Sequence, residues 1–198
     1  MSTQIYAVLL VKPGHARFDP ALGHSRAEAD DFLARIGHGR HVHGREFGPD
    51  EYLAPRAEQL VIQANASGVV AFHLGLGLDM ATNGAKARRA AATGPRLLAV
   101  AYNDQVLTDF LTYYEDGVLR RHVMEVDGNE DITLEGELLP EEIDALRASS
   151  PHPDCEPDEL TGFEVDGKTY YVEGRLPLYG AGLELACRFL GQRLDEFF

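Results

Sequence analysis

The chain has 198 residues, enough for one substantial core, and its 32 acidic against 18 basic side chains leave a formal charge of −14. That charge repels nucleic acid and anionic membranes and favours a basic protein as the partner. Cys155 and Cys187 are the only cysteines, so there is no disulfide framework, and reduced thiols in a cytoplasm are the expectation.

Met1-Ser2-Thr3-Gln4 has no basic region, and the apolar run Ile5 to Val11 is too short for a signal peptide. No apolar run approaches the about 20 residues of a membrane span. Gln4 to Val11, closed by Pro13-Gly14, predicts a buried first strand. Residues 13 to 24 read as loop. Ser25 with Glu28 three residues on is a capping box, Ala29, Phe32, Leu33 and Ile36 fall at helical spacing, and Gly37 stands where a C-terminal cap belongs. Residues 37–55, rich in Gly, His, Arg and Pro, read as an irregular excursion.

Leu60 to Gln63 and Val69 to Leu74 are strands joined through Asn65-Ala66-Ser67-Gly68. Gly75-Leu76-Gly77 follows as a loop, then a helix from about Asn83 to Thr93, ended by Gly94-Pro95. Leu97 to Tyr102 is a long strand, and Asn103-Asp104 turns the chain into Val106 to Glu115. Asp116-Gly117 marks a two-residue hairpin loop that pairs Tyr114 with Leu119, Tyr113 with Arg120 and Phe110 with Val123. Neither face of that hairpin is purely polar, so both are at least partly covered, one of them by helices.

Pro140-Glu141-Glu142 opens a helix that runs to about Ala148, with carboxylates at the positive end of its dipole. Residues 149–158 read as an internal linker. Asp166-Gly167 centres a second hairpin between Phe163 and Glu173. Leu183, Ala186, Cys187, Leu190, Leu194 and Phe197 form the apolar stripe of a last helix. The expected architecture is one α+β domain over residues 1–198, with a largely antiparallel sheet and helices mainly on one face. A crossover through the Asn83 helix leaves room for one parallel strand pair.

Tyr114-Glu115-Asp116-Gly117-Val118-Leu119-Arg120-Arg121 and the later Gly136-Glu137-Leu138-Leu139-Pro140 resemble segments of a family of uncharacterised, mainly actinobacterial proteins. In that family the hairpin reads W-E-D-G-x-L-x-R and the second segment G-E-x-L-P-F-E. Tyr114 replaces the tryptophan, and Glu141-Glu142 stands where the pattern has Phe-Glu. The resemblance implies architecture and brings no activity with it.

Three groups of side chains invite a functional reading. His38-x-x-His41-x-His43 has the spacing of a transition-metal site, because neutral imidazoles suit zinc, nickel or copper. Arg40 and Arg45 beside it disfavour a cation, and solvated loop histidines are the commoner explanation. Gly75 and Gly77, between a strand and a helix, have the order of a nucleotide or phosphate cradle. Met80 stands where a third glycine belongs, however, and Asp79 repels a phosphate. Tyr113 opposite Arg120 suggests a cross-strand cation–π pair on a binding face. Arg88 and Arg89, with Lys86 and Arg96, make the one basic island, suited either to the C-terminal end of a helix or to an anionic contact. His73 and His122 read as packed strand histidines with hydrogen-bond partners.

These observations favour an acidic cytoplasmic binding protein without catalysis, in one version an immunity-like protein that covers the cleft of a basic enzyme. The competing readings are a metal-dependent hydrolase built on the early histidines and a phosphate binder at the glycines.

Overall fold

The computed structural model describes residues 4–38, 59–82, 84–92, 96–103, 108–125, 133–148, 160–173 and 181–191. Seven strands form one sheet: β1 (Gln4–Val11), β2 (Val61–Asn65), β3 (Gly68–Phe72), β4 (Arg96–Asn103), β5 (Thr108–Glu115), β6 (Val118–Glu125) and β7 (Thr133–Gly136). Their spatial order is β2-β3-β1-β4-β5-β6-β7, and every neighbouring pair is antiparallel. β3 and β4 both run antiparallel to β1, so they are parallel to each other. β1 lies between them, and the adjacent parallel pair allowed by the crossover does not form.

The sheet is covered on both faces. Ala7, Leu9 and Val11 of β1 point into one apolar cluster, and Val8 and Leu10 into the other, the period-2 alternation of a strand. On the Val8 side lie α1 (Arg26–Ile36), α2 (Leu74–Thr82) and α3 (Gly84–Ala91), packing Phe32, Ile36, Leu76, Met80, Ala87 and Ala90. On the Leu9 side lies α5 (Ala181–Leu190), whose Leu185, Ala186 and Phe189 pack against Leu98, Val100 and Leu111. The molecule is α+β, with three helices on one face. α4 (Pro140–Ala148) carries a separate hairpin of β8 (Leu160–Val165) and β9 (Lys168–Glu173), joined through Leu146, Val165, Ile143, Phe163 and Tyr170.

Local signals set the element ends. Ser25 Oγ accepts from the Glu28 N–H at 3.4 Å, and Gly37, at φ 66°, closes α1 in the left-handed conformation. Asp116 and Gly117 have φ 51° and 75°, and Asp166 and Gly167 52° and 73°. Both are turns in which two successive residues take positive φ, whose twist matches a tight hairpin. Among the described residues no helix is long and apolar enough to cross a membrane.

Two expectations need correction. Gly75-Leu76-Gly77 is not a loop between strand and helix: it lies inside α2, which starts at Leu74. Burial of Leu76, Met80 and Ala81 outweighs the about 1 kcal/mol that each glycine costs a helix. His73 Nδ1 accepts from the Leu76 N–H at 3.0 Å and caps the first turn. A β-carbon on Gly77 would stand only 3.0–3.1 Å from Tyr6 backbone and Cβ atoms, so this glycine sets how closely α2 approaches β1.

The second correction concerns register. Tyr114 does pair with Leu119, but Tyr113 pairs with Arg121, Leu111 with Val123 and Phe110 with Met124. Arg120 is the extra residue of a β-bulge. A shift of one residue sends each later side chain to the opposite face. Arg121 and Val123 thus join Tyr113 and Leu111, while His122 joins Thr112.

Candidate functional site

The bulge creates two polar features that a regular hairpin would lack. Arg121, turned inward, meets Glu142 in the first turn of α4: Nε donates to both carboxylate oxygens at 3.0 Å and Nη2 to Oε1 at 2.7 Å. Their side chains are 4% and 0% exposed, so neither charge has water as an alternative. Arg121 Nη1 also donates to the Gly136 carbonyl at 3.3 Å, and Glu142 Oε2 accepts from the Leu139 N–H at 2.7 Å. That last bond is the glutamate half of a capping box. The pair thus clamps β6, the end of β7 and the start of α4 together. It is fully satisfied internally, which makes it structural.

His122 is the second feature. Thr112, almost wholly buried, donates its single hydroxyl hydrogen to the Ala81 carbonyl at 2.8 Å. The Thr112 oxygen also lies 2.9 Å from His122 Nδ1. With that hydrogen already committed, the network assigns the proton between them to Nδ1. Nε2 is then the acceptor of the neutral ring, turned away from β5. Register places Glu135 of β7 directly opposite His122, where facing side chains stand about 4.5–5.5 Å apart at Cβ. Thr112, His122 and Glu135 therefore run as one row across β5, β6 and β7, from the buried interior to the exposed edge.

The two edges of the sheet are treated differently. At β2 the chain covers itself: Ala64 N–H donates to His24 Nδ1 at 3.3 Å, and Ser25 N–H donates to the Ala64 carbonyl at 2.7 Å. Gln63 Nε2 adds a bond to the Pro20 carbonyl at 3.3 Å. Beneath that cover, Ser67 Oγ donates to Asn65 Oδ1 at 2.6 Å and accepts from the Asp19 N–H at 2.8 Å, so its hydroxyl is spent on structure. At β7, Leu134, Glu135, Gly136 and the following Glu137 are all exposed. Leu134 and Glu135 point to opposite faces, so neither face is covered there.

The side chains singled out from sequence fall as follows. Tyr113 is buried edge-on to Phe189, with ring centroids 5.9 Å apart, and donates its hydroxyl to Glu115 at 3.3 Å. Burial, reinforced by the Glu115 carboxylate, pushes its phenol up to about 12. Arg120 is exposed and lies 3.7 Å from the same carboxylate. The two meet at Glu115 and do not form the expected cross-strand pair, because the bulge removes Arg120 from the register. Arg96 instead lies over the Phe189 ring, 5.4 Å from its centroid.

The basic island disperses. Lys86 pairs with Asp79, Arg89 donates to the Ile36 carbonyl at 3.3 Å, and Arg96 bonds the His15 and Ala16 carbonyls. Arg88 is exposed on α3. Gly75 and Gly77 build no cradle, since His73 already occupies the Leu76 N–H. His38 packs edge-on to His73 at 5.6 Å, whereas His41 and His43 lie outside the described residues. Among the described residues no three His, Cys, Asp or Glu side chains converge as metal ligands.

Sequence reasoning missed Arg121–Glu142, Glu135 and β7 itself. The signals were faint: the short β-favouring run Ile132-Thr133-Leu134 for the strand, and the glutamate three residues after Leu139 for the capping box. Searches of protein families, curated proteins and solved structures found nothing that matches this chain.

Proposed function

We propose that this chain is a cytoplasmic binding protein without catalytic activity that recognises a basic protein. One observation supports the reading above the others. Among the described residues the buried side-chain polar atoms other than Glu141 Oε2 have hydrogen-bond partners, as at Arg121–Glu142, Thr112 and Ser67, while Glu135, Glu137, Asp144 and Asp166 stand exposed. Acidic groups so placed steer a basic partner and select against acidic ones. An immunity-like role, in which these carboxylates cover the cleft of a basic enzyme, is the concrete form. The resemblance of the Asp116-Gly117 hairpin to an uncharacterised family supplies no competing activity.

The test is cross-linking in the source cell, followed by titration of the purified partner at rising salt. The expected result is a basic protein whose association slows as salt screens the carboxylates. An empty partner search together with turnover of a small molecule overturns the proposal. So does stoichiometric zinc that is retained through gentle purification and lost when His38, His41 and His43 are replaced by alanine.

A further inference from the structure

We propose that β7 is the docking edge, and that the partner adds an extended basic segment to it as an eighth strand. This rests on the reading of the chain as a binder of a basic protein and goes on to specify where and in what form that partner is held.

The contrast between the edges carries the argument. A bare strand edge offers N–H and C=O groups to any passing strand, and proteins blunt such edges unless they are used. Here β2 is blunted by the chain itself through His24, Ser25 and Gln63. Among the described residues β7 is hydrogen-bonded as a strand on one side only, to β6.

Chemistry then selects the occupant. On the face shared with His122, the edge ends in two acceptors, the Glu135 carboxylate and Nε2 of an imidazole whose proton is held on Nδ1 by Thr112. Among the described residues neither acceptor has a hydrogen bond. Acceptors alone call for a donor, which a guanidinium or ammonium supplies and a phosphate or carboxylate does not. On the other face Leu134 is 42% exposed and offers an apolar contact. The fitting segment therefore alternates basic and apolar residues, its basic side chains following the Glu135 row and its apolar ones lying beside Leu134. A second copy of this chain fits poorly, because pairing β7 with itself brings like-charged carboxylates together.

The probe is a ten-residue peptide alternating valine and arginine. Its controls are the valine–glutamate counterpart and the same basic peptide N-methylated at alternate residues, which keeps the charge and abolishes strand pairing. Hydrogen exchange on the full chain should show the basic peptide protecting amides 133–136. Glu135→Gln should weaken binding by about fivefold, the scale of one exposed ion pair, and Glu135→Lys by more. Asp31→Lys, a charge reversal at an exposed position of α1, the helix packed on the opposite edge strand β2, should leave binding within twofold. Equal affinity for the N-methylated peptide, or protection that spares β7, overturns the proposal. Protection of 133–136 in the isolated chain together with a dimer in sedimentation also overturns it, in favour of self-pairing. If a basic partner is found whose affinity ignores Glu135→Lys, the docking edge is wrong and the broader function stands; if no basic partner exists, both fall.

Discussion

Removing either member of the Arg121–Glu142 pair should be among the most damaging single changes available in this protein. Both side chains are essentially sealed from water, so deleting one strands a charge where it cannot be hydrated. Such a loss costs about 3–5 kcal/mol. Glu142→Leu also frees the Leu139 N–H that Oε2 had accepted, a lost cap worth about 1 kcal/mol, for a total of about 4–6 kcal/mol. Arg121→Met should cost about 3–5 kcal/mol on the same grounds. The double variant leaves no buried charge, only the Leu139 N–H and the Glu135 and Gly136 carbonyls short of a partner, and should cost about 1–3 kcal/mol. The two losses therefore fall short of additivity by at least about 4 kcal/mol. Urea unfolding followed by circular dichroism, with sucrose present to keep the weaker variants folded, measures all four corners of the cycle. Single variants within 1 kcal/mol of the parent, or costs that simply add, would refute the assignment of a buried, mutually dependent pair. Because Arg121 also holds the Gly136 carbonyl, the single variants should speed amide exchange along residues 133–136.

Other outcomes follow from the same geometry. Tyr113 is protonated more firmly in the fold than in the unfolded chain, about 12 against an ordinary 10, so its contribution is complete below pH 10 and disappears as pH rises from 10 through 12. At 1.36 kcal/mol per unit that is on the order of 3 kcal/mol; unfolding at pH 9 and pH 12 should show a smaller loss for Tyr113→Phe than for the parent. Gly77→Ala should destabilise by about 1–3 kcal/mol in urea unfolding, since its methyl would press on Tyr6. Gly84→Ala, where a β-carbon meets nothing within 4 Å, should stay close to the parent. Ser67→Ala strips the Asp19 N–H of its acceptor and should cost about 1–3 kcal/mol, with faster exchange at Asp19 as the local signature.

Much of this fold is written in short-range chemistry. Ser25 with Glu28 and Gly37 bounds α1, Pro140 opens α4, and two Asp-Gly pairs turn two hairpins, because caps and turns depend only on residues a few positions apart. The continuous apolar run Ile5 to Val11 likewise marks a strand buried on both faces before any partner is known.

What only the tertiary structure decided begins where two distant segments must agree. The bulge at Arg120 depends on how β6 seats against β5, and it turns over every side chain beyond it. Arg121 reaches Glu142 across 21 positions of sequence, and His122 reaches Thr112 across 10, distances over which no local rule operates. Helix α2 wins over a glycine loop because Leu76, Met80 and Ala81 find a sheet to bury against. β7 is only four residues long, too short to carry a periodic signal, and exists because β6 offers it a ladder. The proposed docking edge belongs to this second category. Glu135 is one glutamate among many in the sequence; the order of the strands is what brings it beside His122, on the outermost strand among the described residues.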